Sequence, residues 1–377
     1  MYLAKVDIFV WLFFVVFSNP AYGQLVKVVP IEQNEDSYSF PHLLGDSVKH
    51  RVCEKINTYL QVHYLSQVPG TYLNDDPYYR AKNNFNCGQK IFQDFEASYL
   101  NPKVLEVVLY VEQSYCTGMG LDWFTSIDYF DVIDGEKIEL ADLFSVYGLR
   151  SLKMEAVHEM RSQLQGYIKE IRDEVRAMKS EPNEQDIQFL LDQSDLYQSC
   201  LKYTDTSEFQ YYQYKITSDS ITFKRNKCYW NETGRSLDEK SVPQVKFSLE
   251  NLAPLLSSFG KELLLESGQT STNPSLKNKL FKGYIGGKYP VKAIVKESGE
   301  RLEIVYWYEK VKQTLLWEGE YNNDNYLLKE RVYYDDDSEP IADVTINFIR
   351  SNGRWTANGT WKDLSDGRVL SIDLKEY

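Results

Sequence analysis

Residues Ala342–Trp361 read ADVTINFIRSNGRWTANGTW, and the alternation in this stretch decides the fold of the C-terminal part of the chain. Val344, Ile346 and Phe348 fall on one face of an extended strand, and Asn352–Gly353 supplies a turn into a second strand, Gly353–Trp361. The pattern continues on both sides, with Leu302, Ile304, Tyr306 and Tyr308 alternating in the same way. Strands are expected at about Phe281–Tyr284, Val291–Val295, Leu302–Tyr308, Thr314–Tyr321, Tyr326–Val332, Ala342–Ile349, Gly353–Trp361 and Val369–Leu374. Gly286–Gly287, Gly299, Asn322–Asn323 and Asp366–Gly367 punctuate them. Such a run within 276–377 has the size of a small all-β up-and-down barrel or sandwich.

Upstream, Glu266–Ser275 (ESGQTSTNPS) contains no bulky apolar side chain and reads as a linker, 266–275. The preceding region, 24–265, has a different character. A strand at Leu25–Ile31 is followed by a helix capped by Asp46 or Ser47, with Val48, Val52, Ile56, Tyr59, Leu60 and His63 on its stripe. Strands follow at Ile91–Tyr99, Val104–Tyr115, Phe124–Val132 and Lys137–Leu140, then the short Ala141–Phe144. A long helix, Ser151–Ala177, presents Met154, Val157, Leu164, Ile168, Ile171 and Val175 on one face. A second, Glu184–Leu201, presents Ile187, Leu190, Leu191 and Tyr197. Strands return at Phe209–Ile216, Ile221–Arg225 and Val245–Leu249, and a short helix near Leu252–Ser257 closes the region. Grouped strands and grouped helices predict an α+β domain with an antiparallel sheet.

The N-terminus predicts export. Ile8–Phe17 is an unbroken apolar run, Ser18–Asn19–Pro20 breaks it, and Ala21–Tyr22–Gly23 supplies small residues for cleavage. The run is too short for a hydrocarbon core, which takes roughly 20 residues. Residues 1–23 are therefore expected to be a signal peptide, leaving a periplasmic or secreted protein without a transmembrane anchor. Export permits disulfides among Cys53, Cys87, Cys116, Cys200 and Cys228; their pairing is open, and Cys53, beside a helical stripe, is the expected buried free thiol.

Net charge is −13, which argues against nucleic-acid binding. Residues 276–377 hold 16 Lys and Arg against 17 Asp and Glu, so almost all the excess belongs to the first region. Chemistry-bearing motifs are sparse. Gly45–Asp46–Ser47 resembles a nucleophile block but lies where a helix must be capped. His42, His50, His63 and His158 lack the spacing of a metal-binding helix pair, and Asp335–Glu339 runs into Pro340 where a calcium loop needs glycine. No catalytic residue, metal or cofactor is predicted. Trp307, Trp317, Trp355 and Trp361 fall inside strand patterns and read as core or barrel wall. Tyr229, Trp230 and Asn231, beside Cys228 in a loop-like stretch, form a candidate binding spot; the sequons at Asn231 and Asn358 matter where exported proteins are glycosylated.

The order Tyr115, Thr117–Gly118–Met119–Gly120, Ser126–Val132, Asp134–Gly135–Glu136–Lys137–Ile138, Leu140–Phe144, two helices, Ile221–Thr222–Phe223 and Leu249–Leu256 resembles the RsiV-type extracytoplasmic domain. That domain occurs in lysozyme-sensing anti-sigma factors and as an accessory module of some peptidoglycan deacetylases. The likeness covers about 50–260, and its most specific part is the D-G-x-x-I-x-L-x-D-L-F block of Asp134–Phe144. Gly118–Met119–Gly120 departs from the family's frequent Gly-Ala-His, and the cytoplasmic and membrane segments of the anti-sigma factors have no counterpart. The C-terminal part is similar to small β-meander domains of exported Bacteroidetes proteins at Gly283–Tyr289, Trp317–Gly319 and Gly359–Trp361. The resemblance implies a non-catalytic domain whose loops, including Thr117, Gly118, Met119 and Gly120, contact a cell-wall enzyme or the wall. The expected function is a non-enzymatic binding protein recognising a cationic, lysozyme-like enzyme, with cell-wall glycan or peptidoglycan binding through aromatics as the alternative.

Overall fold

The computed structural model describes residues 26–31, 38–70, 72–79, 90–114, 121–178, 184–207, 209, 212–225, 242–265, 273–311, 313–322, 325–333 and 339–377. The first region is α+β and the last is a closed, eight-stranded antiparallel barrel. In the first region, β1 (Lys27–Pro30) pairs with β2 (Pro41–Leu44), and α1 (His50–Leu60) follows. The central sheet is β3 (Lys90–Asn101), β4 (Val104–Ser114), β5 (Leu121–Asp131) and β6 (Glu136–Ile138), all antiparallel. Next come α2 (Leu140–Leu143), α3 (Val146–Ala177) and α4 (Glu184–Tyr203). A second sheet, β7 (Gln213–Ile216), β8 (Ser220–Lys224) and β9 (Gln244–Ser248), leads into α5 (Leu249–Leu252) and α6 (Ser258–Leu264).

Several local expectations are corrected. Asp46 Oδ1 accepts the N–H groups of Val48 and Lys49, so it shapes the turn before α1, and the cap position itself falls on Lys49. Val48 is consequently outside the helix and exposed. Beyond Leu60 the helix widens into a π-turn, Gln61–Leu65, ended by Ser66 in the left-handed region at φ 59. The extra residue per turn rotates His63 off the apolar stripe and exposes it. Met154 and Leu191 are also exposed, because Leu152, Ala156 and Met160 on α3 and Leu196 and Cys200 on α4 make the buried faces instead. In place of one short helix near Leu252–Ser257 there are α5 and α6, each begun by its own serine: Ser248 accepts from Asn251 and Ser257 from Gly260.

Leu143–Phe144–Ser145 and Leu255–Leu256–Ser257 are local counterparts. Ser145 N–H donates to Leu255 O (3.1 Å), Ser257 N–H donates to Leu143 O (2.9 Å), and Phe144 bridges Leu256. Ser145 caps α3 through Gly148 as Ser257 caps α6 through Gly260. Two similar strand–helical-turn units thus satisfy each other's loose backbone groups where they would otherwise be buried unpaired.

The barrel strands are β10 (Leu280–Ile285), β11 (Tyr289–Glu297), β12 (Arg301–Tyr308), β13 (Thr314–Asn322), β14 (Asn325–Val332), β15 (Ala342–Ser351), β16 (Arg354–Asp363) and β17 (Val369–Glu376). Each pairs with its sequence neighbour, and β10 closes on β17. Of the two sequence alternatives, barrel and sandwich, the barrel is the one formed. Gly283, Gly319 and Gly359 sit where a Cβ would run into the Asp373, Leu327 and Thr345 carbonyls of the neighbouring strands. These are tight corners that let a small barrel close. Inside, Trp317 and Trp361 donate to Glu330 Oε2 at 2.8 and 2.7 Å, and the Tyr306 hydroxyl donates to the same oxygen. Burial raises the Glu330 pKa against the opposing effect of these three donors.

The barrel is docked on the first region. Val305 and Trp307 point away from the barrel interior and join Leu280, Ile294 and Tyr333 in one apolar cluster with Ile56, Leu60 and Leu105. Above this layer lies a buried ion cluster. Lys279, 1% exposed, pairs with Glu136 and with Glu376 (3.2 Å), and Lys55 approaches Glu136 at 3.4 Å. Burial raises the Glu136 pKa although Lys279 and Lys55 oppose it; Glu376 is likewise pushed up by burial, but Lys279 and the Trp355 N–H hold it below the ordinary carboxylate value. Removing the central cation strands two buried carboxylates, so Lys279→Met is expected to cost about 3–5 kcal/mol in chemical denaturation. Adding Glu136→Gln to that variant should recover part of the loss; no recovery would mean that the cluster is not the cause.

Candidate functional site: a cleft at the barrel junction

The docked barrel and the first region enclose a cleft of about 150 Å³. The π-turn aims His63 into it, where the ring stacks on Tyr59 (centroids 5.4 Å, 13° between planes). Desolvation by the surrounding protein, with the Lys137 charge adding to it, lowers the His63 pKa, although the residue keeps part of its surface open to solvent. From β6 and the residue after it come Lys137 and Glu139. Lys137 Nζ donates to Tyr59 Oη (2.6 Å) and pairs with Asp128 (3.0 Å) and Glu139 (3.2 Å). Asp128 also accepts from the Tyr64 hydroxyl (2.7 Å), which ties the π-turn to β5. Burial would lower the Lys137 pKa, but Asp128 and the neighbouring anions carry it well above the usual lysine value.

The opposite wall belongs to the barrel and the segment entering it. Asn278 adopts φ 68, donates its side-chain amide to Glu139 Oε1 (3.0 Å) and leaves Lys277 at the rim. A register shift between Val295 and Glu297 places Lys296 in a bulge, where its ammonium reaches Tyr333 Oη at 3.0 Å. Bulges commonly re-aim side chains beside functional sites. Glu297 and Glu303 complete the lining. The cleft therefore presents the His63 ring, backed by the buried Tyr59, and charges of both signs, held by groups already in place. A wider groove of about 410 Å³ lies across β10 and β17, where Tyr377 donates to Glu54 and Lys282 sits over its ring.

The candidate residues Thr117, Gly118, Met119 and Gly120, and Tyr229, Trp230 and Asn231, lie outside the described residues, as do residues 1–23, the linker up to 272 and the acidic run 334–338. Cys53 is a buried free thiol, whose pKa burial raises, and Cys200 is disulfide-bonded. Trp317 is fully buried in the barrel, Trp361 nearly so, and Trp307 belongs to the docking layer. Among the described residues no group of His, Cys, Asp or Glu side chains has the arrangement of a metal site, and no helix is long and apolar enough to cross a membrane. Sequence reasoning assigned Tyr59 and His63 to an apolar stripe and Lys137 and Glu139 to a family block. The alternation Lys137–Ile138–Glu139, two charges flanking a buried Ile138, was the local sign that one face of β6 is polar and enclosed.

No family model matches this chain, and no curated protein or solved structure does so either.

The hairpin feeding the cleft carries a pH signature. Asp131 is 3% exposed; burial raises its pKa to about 7, with Asp134 and Glu136 adding to the rise and the Ile133 N–H (2.8 Å) opposing it. Its folded value exceeds the unfolded one, so the folded state binds more protons between about pH 4 and 7 and loses stability as pH rises through that window. Asp131→Asn keeps the acceptor for Ile133 without the charge. The variant is expected to match the parent near pH 4 and to be more stable by about 1–3 kcal/mol at pH 8. Equal slopes of unfolding free energy against pH in the two proteins would refute this.

Proposed function

We propose that the protein is a non-enzymatic exported binding protein that recognises a cell-wall glycan or peptidoglycan fragment at the junction cleft. The observation that carries this reading is the preformed, two-walled cleft with the His63 ring stacked on the buried Tyr59, since a flat ring suits a sugar face and fixed polar groups suit its substituents. The disulfide at Cys200 supports an oxidising, extracytoplasmic location. The RsiV-type assignment of the first region is part of the same proposal; the Asp134–Phe144 block, which supplies Lys137 and Glu139 to the cleft, supports it. Sedimentation with purified wall should retain the full chain, and His63→Ala should weaken retention about tenfold. Loss on Trp230→Ala with no effect of His63→Ala would move the site to the Tyr229–Asn231 segment of the sequence.

A cationic, lysozyme-like protein is the second reading, favoured by the confinement of the charge excess to the first region. There, Asp94 and Glu96 on β3 lie exposed on the sheet, while Glu106 and Glu112 on the neighbouring β4 are buried. An acidic sheet face steers a cationic partner. Pull-down with lysozyme is expected to succeed at low salt and weaken at moderate salt; absence of a complex at both excludes this partner.

A further inference from the structure

The charges lining the cleft are unequally committed. Lys137 uses its ammonium on Tyr59, Asp128 and Glu139. Lys277 at the rim is 38% exposed, and its nearest carboxylate oxygen, Glu139 Oε1, is 3.9 Å away and already accepts from Asn278. On the barrel side, Glu297 and Glu303 are direct cross-strand partners. Like charges in that relation destabilise a ladder. Among the described residues no cation pairs with Glu297, and Glu303 meets Arg301 at 3.4 Å while Arg301 also serves Glu318 at 3.2 Å. Lys277 thus has only a distant ion pair with Glu139, Lys296 is turned to Tyr333, and Glu297 has no cation partner among the described residues.

We infer that the cleft takes a small zwitterion: an α-amino acid, free or as the amino-acid end of a wall peptide, with its carboxylate at Lys277 and its ammonium at Glu297 and Glu303. The His63 ring lies along the cleft. This rests on the reading of the cleft as the binding site and names what that site selects. A ligand carrying only one charge would meet Lys277 or the Glu297–Glu303 pair and leave the other as it is.

Calorimetric titration of the full chain with the protein amino acids, D-alanine and meso-diaminopimelate tests the inference, the tightest binder being repeated as its N-acetyl and methyl-ester derivatives. Each derivative should bind at least tenfold more weakly than its parent. Lys277→Gln should erase the difference between acid and ester, and Glu297→Gln the difference between amine and N-acetyl amine, with melting temperatures unchanged. Tighter binding of a muropeptide than of its free amino acid would identify the wall as the source; equal binding would identify the free amino acid. Binding of the derivatives as tight as that of the parent overturns the inference, and so does absence of binding by every amino acid. If His63-dependent retention on purified wall persists in that case, the cleft remains the binding site and only the ligand class is wrong.

Discussion

The rest of the structure depends on one buried ammonium. Lys279 stands at the entrance to the barrel, almost without solvent, and is paired with Glu136 from the first region and Glu376 from the last barrel strand. Desolvating three such groups, with Lys55 as a fourth, costs several kcal/mol per ion, and only mutual pairing with good hydrogen bonds offsets it. The apolar layer beneath supplies the attraction: Val305, Trp307 and Ile294 bury against α1 and the central sheet. Apolar burial is indifferent to small slides and rotations of one body over the other. The ion cluster is not, because a shift of an ångström or two leaves a charge unpaired in a dry setting. Adhesion therefore comes from the hydrophobic layer and orientation from the charges.

The hairpin from Asp131 to Phe144 transmits that orientation. Gly135 has φ 75 and packs so closely on α1 that a Cβ would come within 2.7 Å of Val52 O, so α1 and the hairpin move together. Its next residues divide their tasks by alternation along a strand. Glu136 enters the ion cluster, Lys137 faces Tyr59 and Asp128, Ile138 is buried in the second core, and Glu139 reaches the segment that opens the barrel. Asp142 accepts the Glu139 N–H (2.8 Å) and starts α2, which passes the chain to the paired serine caps. Four consecutive side chains thus reach four different partners, which accounts for a compact, specific block within an otherwise ordinary α+β sequence.

The barrel strands were legible almost residue by residue, since alternation and Gly or Asn turns mark a meander without reference to anything distant. Docking was not, although β12 carried a sign of it. Leu302, Ile304 and Tyr306 alternate toward the interior, while Val305 and Trp307 fall on the other phase and are equally apolar. A strand that is apolar on both phases has both faces covered, and the second phase of β12 is the one that docks on the first region. The cleft was beyond reach for a different reason. His63 reaches it through a π-turn, a local change of helical pitch that residue spacing at 3.6 per turn hides, and Lys296 through a bulge that adds one residue to β11. Glu297 and Glu303 could be seen flanking Gly299 as a hairpin, but whether an opposing wall existed depended on the docking itself.

A site formed between two packed bodies inherits its rigidity from the packing and not from its own contacts. Lys137 and Glu139 are fixed by Asp128, Tyr59 and Asn278, and the barrel wall is fixed by hydrogen-bonded strands. The relative position of the two walls is set by Lys279, whose neighbour Asn278 bonds Glu139 in the cleft. The same short segment therefore closes the ion cluster on one side and lines the cleft on the other. A ligand that bridges the walls gains from groups already ordered, so little of its binding free energy is spent on arranging them. By linkage, such a ligand stabilises the docked arrangement to the same extent that docking favours the ligand. The buried cluster and the cleft are in that sense two faces of one joint, and an ion pair that is an expensive way to hold a domain becomes economical as a way to hold a site.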